Sequence, residues 1–350
     1  MEQLKLNQLS RILIKGFKSI QECDVTLNPI NLLIGANGAG KSNFIGFFNL
    51  IQQMAAGNLA SYVNHQGGPD AILHFGRKVT PSLCGELEFN ADLVYRLQLN
   101  PKDNTFFVKP ATDAAIIMRD NLWNQDDPSF ASIKTSWKTY HFHDTHSDAK
   151  VKQLHGINDN IYLRPDASNL AAFLFLLKEK YLGHYQQIVN TIRLVAPFFG
   201  DFCLRPNPLN KSIIELEWFE RGHDIPFNAY RLSDGTLRFI CLTTVLLQPE
   251  ELRPATIIID EPELGLHPYA IQILASMIRS ESHTTQFIIA TQSTNLVSEF
   301  EPEDIIIADR VSDKTDLHRI SDPEKLKAWL EDYSLGELWE KNLLGGNPNL

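Results

Sequence analysis

The octapeptide GANGAGKS, residues 35–42, has the residue types and spacing of a phosphate cradle. Gly35 and Gly40 bracket four residues, and Lys41 and Ser42 follow. In that arrangement the backbone N–H groups of Asn37, Gly38, Ala39, Gly40 and Lys41 converge on phosphate oxygens at a helix N-terminus. The Lys41 ammonium then reaches the β- and γ-phosphates of a nucleoside triphosphate, and the Ser42 hydroxyl is a ligand for Mg²⁺. This chemistry needs a strand before the loop and a helix after it. INLLI precedes it and an amphipathic stretch follows, which disfavours a Gly-rich turn without a ligand.

Further along, TIIIDE (residues 256–261) is a short apolar run tipped by two carboxylates. Asp260 is placed to hold Mg²⁺ through water, and Glu261 to orient or deprotonate an attacking water. One acid at a strand end is an ordinary surface feature; two adjacent acids in a chain with a phosphate cradle point to chemistry. LSDGT (232–236) puts a hydroxyl, Ser233, at the start of a helical stretch, with Asp234 and Gly235 in the turn. Ser233 fits a plain N-cap, and a hydroxyl-capped helix start is also a seat for an anion. Gln292, in IIATQS, follows another apolar strand; its amide can bond phosphate or water but cannot switch charge.

The elements that must position these residues are legible in the periodicity. SRILIKGFKSI and CDVTLNPINLLIG read as strands, whereas KSNFIGFFNLIQQMAAG sets Phe44, Phe47, Phe48, Ile51 and Met54 on one helical face, with Gly57 as a stop. GELEFNADLVYRLQLN and TFFVKP predict antiparallel strands, and residues 121–160 a loop-rich stretch. SNLAAFLFLLKEKYLGHYQQIVNTIRLVAPFFG reads as helix closed by Pro197, and LSDGTLRFICLTTVLLQPE as helix stopped at Pro249. TIIID, QFIIA and DIIIAD are fully apolar, as in a parallel sheet covered on both faces. The expected division is 1–80 and 226–350 as two halves of one α/β core, 81–165 as a β-rich insertion and 166–225 as a helical lobe.

The chain has 350 residues, 43% hydrophobic and 21% charged, ample for a large buried core. Its net charge of −10 argues against a surface that is basic all over, though not against a local basic groove. Cys23, Cys84, Cys203 and Cys241 never fall at metal-ligand spacing, which predicts free thiols in a reducing, cytoplasmic setting. The N-terminal stretch does not read as a secretory signal, and no apolar run approaches membrane-spanning length. A soluble protein with no membrane partner is the expectation.

In order and spacing, the cradle, LSDGT, IIIDEPELGLHP and IIATQS resemble the ABC-type ATPase heads of the SMC/RecF/OLD group, in particular stand-alone OLD-like AAA ATPases without a Toprim domain. GFKSI and LRPDASNLAAFL match the same group, so the resemblance covers nearly the whole chain. It implies an α/β P-loop NTPase with a mixed and parallel sheet core, an antiparallel β-lobe and an inserted helical lobe. It also implies ATP and Mg²⁺ as cofactors, with Glu261, Asp260 and Gln292 as catalytic residues. In such heads LSDGT serves the neighbouring subunit: Ser233, Asp234 and Gly235 contact the γ-phosphate bound by the other copy of a head-to-tail homodimer, or of a larger homo-oligomer. Many ABC ATPases carry histidine where Gln292 stands, so slow or partner-stimulated turnover is expected. The residues between Ser42 and Leu232 are too few for long coiled-coil arms, and residues 310–350 too few for a Toprim nuclease. The resemblance therefore implies a separately encoded nuclease or toxin as partner in bacterial antiphage defence, or a role in DNA repair, with DNA or RNA as a further candidate partner. A transport ATPase subunit and an ATP-bound scaffold that sequesters a toxin with little turnover are the alternatives.

Weaker candidates complete the reading. Arg11, Phe17 and Lys18 occupy positions where related heads touch nucleotide or DNA, and are equally ordinary strand residues. Gln66 and His74 are rival choices for the glutamine that contacts Mg²⁺ in such heads. HFHDTHSD (141–148) has metal-binding residue types, but a solvated loop is the favoured reading. Arg77, Lys78, Arg119, Arg231 and Arg238 are candidates for a phosphate-binding face.

Overall fold

A computed structural model describes residues 8–90, 93–109, 136–320 and 326–346. The chain divides into two compact units. The first comprises Met1–Thr139, Ala255–Asp260 and Thr284–Leu350, and the second Tyr140–Pro254 and Glu261–His283.

The first unit contains two sheets. The strands Leu9–Phe17 (β1), Ile20–Thr26 (β2), Ile30–Ile34 (β3), Leu83–Phe89 (β4), Leu93–Lys102 (β5), Thr105–Lys109 (β6) and Trp137–Tyr140 (β7) come from the first part of the chain. An antiparallel sheet has the order β2-β1-β4-β5-β6. Its alternating burial is clearest in β4, as the alternating sequence GELEF requires. The second sheet joins both ends of the chain. Thr256–Asp260 (β13), Gln286–Ala290 (β14), Ile305–Val311 (β15) and Lys314–Arg319 (β16) line up with β3 and β7 in the order β16-β15-β3-β14-β13-β7. The four central strands, β15, β3, β14 and β13, run parallel. Every residue of β3 and β14 is buried, the burial expected of strands covered on both faces.

Helix α1 (Lys41–Ala55) supplies the shared core of this unit. Phe44, Phe47, Phe48, Ile51 and Met54 are all buried, in one cluster with Ile12 and Ile14 of β1 and Ile258, Ile288 and Ile306 of the parallel sheet. Edge-to-face contacts fix the rings: Phe17 to Phe47 at 5.6 Å and Phe48 to Trp137 at 5.6 Å between centroids. Gln286 ties the two sheets polar-to-polar. Its amide donates to the carbonyl oxygens of Leu9 (2.7 Å) and Asn28 (3.0 Å) and accepts from Leu9 N–H and the Thr256 hydroxyl.

The second unit is built on helices α2 (Leu170–Lys180), α3 (Leu182–Val195), α4 (Asp234–Leu247) and α5 (Pro268–Glu281). Its strands are short: His155–Gly156 (β8), Phe199–Phe202 (β9), Ile213–Ile214 (β10), Glu217–Glu220 (β11) and Phe227–Asn228 (β12). The expected single helical stretch from residue 168 is in fact two helices. Tyr181, at φ −132° and ψ 50°, leaves the helical region between them. The break separates two burial patterns: Leu170 to Leu174 is buried all round, whereas α3 buries the single stripe Tyr185, Ile188, Val189 and Ile192. A strand follows at Phe199, whose ring stacks on Trp218 of β11 at 5.7 Å.

Candidate functional site

The cradle leaves β3 and opens α1, as its sequence context requires. Gly35 and Gly40 are both forced by close approach. A Cβ at Gly35 would meet the Ala308 carbonyl oxygen at 2.2 Å, and one at Gly40 (φ +114°) the Thr315 hydroxyl at 2.0 Å. Lys41 is buried, and its ammonium donates to the carbonyl oxygens of Gly35 (2.6 Å) and Ala36 (3.0 Å). The β15–β16 hairpin braces the tip: Arg310 donates to the Gly38 carbonyl (3.2 Å) and Thr315 to the Ala39 carbonyl (2.8 Å). A trans peptide points its N–H opposite to its C=O, so the second bond turns the Gly40 N–H away from β16. Asn37, Gly38 and Ser42 are exposed and Ala39 is buried. A cavity of about 450 Å³ opens beside the loop, lined by Ala36, Asn37, Asp309, Arg310, Asn342 and Gly346 among others. Gly40→Ala is expected to lower the thermal midpoint and to weaken nucleotide binding at least 10-fold, because strain at such a position costs ~1–3 kcal/mol. A melt and a titration that match wild type would contradict this packing.

The cradle, Gln292 and Asp260 share one sheet edge of the first unit. Leu33, two residues before the cradle, Ala290 at the end of β14 and Asp260 at the end of β13 are in register across three parallel strands. The Thr291 N–H donates to the Leu33 carbonyl (3.0 Å), which fixes the start of the turn carrying Gln292. Gln292 is exposed at the carboxyl end of the strand that separates the cradle strand from the Asp260 strand. The carboxyl edge of parallel strands is where ligands of α/β sheets bind.

The weaker candidates sort themselves by their partners. Lys18, at φ +49°, donates to the Gln66 amide oxygen (3.2 Å), and its own carbonyl lies 2.7 Å from His74 Nδ1. So Lys18, Gln66 and His74 are brought together, with burial pushing the Lys18 ammonium below its ordinary value. Ser19 extends the group, bonded to Asn43 of α1 (2.6 Å) and to Thr315 (2.7 Å). Phe17 is a core residue. Arg11 is taken up by acids, forking onto Asp24 (2.6 Å) and reaching Glu88 (2.6 Å). Hydrogen bonding to Asp24 raises the Arg11 guanidinium, and the same bond lowers the Asp24 carboxyl. Arg77 is paired with Asp70 (3.0 Å) and Lys78 is exposed beside it. Arg119 lies outside the described residues.

In the second unit Ser233 caps α4, accepting from the Thr236 N–H at 3.2 Å. Ser233 and Asp234 are exposed, so the capped helix start faces outward from its own unit. Lys152, itself buried, lies 3.9 Å from the Asp234 carboxylate and donates to the Thr145 carbonyl at 2.5 Å. Glu261 opens the turn after β13 with φ +46°, a strained conformation for a non-glycine residue. Arg231 is exposed beside a hollow of Phe198, Trp218 and Phe227. Arg238 does not line a phosphate-binding face: it is buried and donates to main-chain carbonyls. In the HFHDTHSD loop the side chains of His141, His143, Asp144, His146 and Asp148 are exposed. Among the described residues no group of three or more His, Cys, Asp or Glu is placed to hold a metal ion. All four cysteines are free, and burial pushes Cys23 and Cys241 up to about 12.

Reading the sequence alone missed Thr315, Arg310 and Asp309. They bear on the cradle only because a tight hairpin, with Ser312 and Asp313 at φ +49° and +64°, returns β16 against β15 and toward Ala39. The turn residues Ser-Asp between the apolar run IIIAD and the alternating run KTDLHR were the available signal.

Comparisons with known proteins bear on the family and the fold. Residues 30–298 match the family described as "AAA domain, putative AbiEii toxin, Type IV TA system". A 78-residue segment is 33% identical to a "Putative ABC transporter ATP-binding protein" of Geobacter sulfurreducens; that match covers 22% of this chain and 29% of the relative. The fold is similar to an SMC head solved with the C-terminal winged-helix domain of ScpA, at TM-score 0.61 and 16% identity, covering 92% of this chain and 99% of the other. It is also similar to the SMC head of Pyrococcus furiosus, solved with an extended coiled coil and the C-terminal domain of ScpA, at TM-score 0.59 and 15% identity, with 92% and 98% covered. Among the described residues no helix is long and apolar enough to cross a membrane. The α/β P-loop fold expected from the sequence is thus the fold observed, similar to that of SMC heads, and the chain belongs to the family described as "AAA domain, putative AbiEii toxin, Type IV TA system".

Proposed function

We propose that the protein is an ATP-driven association switch. Two copies pack head-to-tail, each presenting Ser233 and the start of α4 to the γ-phosphate held on the other's cradle, and hydrolysis releases them. The observation that carries this reading is the exposed, hydroxyl-capped start of α4, a seat for an anion on a chain with its own separate phosphate cradle. A two-fold arrangement uses both patches twice and buries two nucleotides at one interface.

The residues fit the group the family implies. Ser42 and Asp260 offer hard oxygen donors of the kind Mg²⁺ takes, and with ATP bound the ion would neutralise charge on the phosphates. Lys41 shifts from the Gly35 and Ala36 carbonyls toward phosphate oxygens. Glu261 accepts the proton of the attacking water, and the Gln292 amide orients that water. A neutral amide in that position supports slow turnover, or turnover stimulated by a partner. The cavity beside Asp309 and Arg310 has room for the nucleoside end.

The effector is a separate protein, a nuclease or toxin in bacterial antiphage defence, or a repair partner. The family description names a toxin–antitoxin system, which supports a defence setting, and an SMC head of similar fold was solved bound to a domain of a separate protein, ScpA. An OLD-like role rests on IIIDEPELGLHP alone. DNA binding, if it occurs through phosphate contacts, weakens steeply with added salt; association insensitive to salt contradicts it.

The test is phosphate release per chain as a function of protein concentration. Composite sites give a specific rate that rises with concentration, and Ser233→Arg removes the rise by placing a bulky side chain at the interface. A specific rate that stays flat down to dilute monomer contradicts the switch.

A further inference from the structure

We propose that Arg238 is a positioning residue, a strut that holds the backbone of Glu261 in register with the signature helix α4. This rests on the reading of Glu261 as the catalytic base. The guanidinium is buried, and burial pushes it below its ordinary value, so its donors need fixed partners. Those partners are main-chain oxygens from two remote segments. Nε donates to the Phe142 carbonyl (2.8 Å), one terminal nitrogen to the His143 carbonyl (3.2 Å), and the other to the Leu264 carbonyl in a short bond.

Leu264 completes the link. Its N–H donates to the carbonyl of Glu261 at 3.3 Å, closing the turn that begins at the strained residue. Two hydrogen bonds in series therefore run from the side chain of α4 to the backbone of Glu261. The same two segments also touch directly, since a Cβ on Gly235 would meet the Gly265 carbonyl oxygen at 2.3 Å. A left-handed non-glycine residue persists only where its surroundings over-determine it, and Arg238 with the Gly235–Gly265 contact does so here.

The consequence is mechanical. When the start of α4 engages a phosphate on another copy, the turn carrying Glu261 is aligned with it. Phe142 and His143 join the same piece, which gives the histidine-rich loop a function that needs no metal: its backbone is the far anchor of the strut.

Arg238→Lys keeps a cation but loses the planar fork that reaches separate carbonyls. Gly265→Ala is the second variant: its Cβ would lie 3.0 Å from an Arg238 nitrogen at φ +74°, disturbing the strut from the other side. Both are expected to lower kcat for ATP about 10–100-fold with KM close to wild type, because a base misplaced by about an ångström loses that much. The midpoint holds in Arg238→Lys and falls in Gly265→Ala, where alanine is strained at a positive φ. In the Glu261→Gln background both should still associate on adding ATP–Mg²⁺, since binding and contact surfaces are retained. Unchanged kcat in the two variants overturns the strut while the reading of Glu261 stands. Loss of KM, midpoint and kcat together in Arg238→Lys assigns Arg238 to fold stability and also overturns it. If Glu261→Gln itself hydrolyses like wild type, the reading of Glu261 fails, and the strut with it.

Discussion

A Lys41→Ala chain is expected to bind ATP about 10²–10³-fold more weakly than wild type while keeping its fold. The ammonium is the only side-chain cation that the cradle sequence itself supplies, and in the absence of ligand it is satisfied by the Gly35 and Ala36 carbonyls. Charge-assisted hydrogen bonds to an ionised partner contribute ~1.5–3 kcal/mol each, and truncation of a desolvated charge pair costs more than that. The Phe44, Phe47 and Phe48 packing of α1 does not depend on the lysine, so the melting curve should hold within a few degrees. Titration with a fluorescent nucleotide at fixed Mg²⁺ is the measurement. Affinity within threefold of wild type contradicts the assignment of the cradle.

Glu261→Gln acts on a different step. The amide keeps the size and one acceptor of the side chain but cannot take a proton. Turnover should therefore fall about 10²–10⁴-fold, the usual contribution of a positioned general base, with nucleotide affinity unchanged or tighter. Paired with Lys41→Ala, it separates binding from hydrolysis. If partner release follows Lys41→Ala but ignores Glu261→Gln, the protein is an ATP-bound scaffold rather than a hydrolytic switch. Equal turnover in Glu261→Gln and wild type would move the base elsewhere, with Asp260 the next residue to test.

Much of this was legible in the residues because the relevant physics is local. Gly35, Gly40, Lys41 and Ser42 lie within eight residues, and the short apolar runs TIIID and QFIIA fit strands covered on both faces, as they prove to be. The Ser233 cap was equally readable, since capping needs only the N–H groups one turn on. What escaped depends on contacts between distant segments. Arg238 read as one more basic residue on a helix, because nothing in LSDGTLR reveals that Phe142, His143 and Leu264 surround its side chain. Arg11 reads equally as a nucleotide or DNA contact and as an ordinary strand residue; cross-strand acids on β2 and β4 claim it, a pairing fixed by register rather than by sequence proximity. The break at Tyr181 had Gly183 beside it as a local sign, but the helical periodicity reads on past it; the change from a uniformly buried to a striped pattern marks the break.

The central claim is that ATP brings two heads together. Its most direct test is the mass of the Glu261→Gln protein in solution, by light scattering after size exclusion, with and without ATP–Mg²⁺. The substitution retains the cradle, Ser42 and Ser233, and should trap the associated state. The account predicts monomer without nucleotide and a doubling of mass with it, and no doubling when Ser233→Arg is added. A mass that stays at monomer while nucleotide is shown to be bound would contradict it.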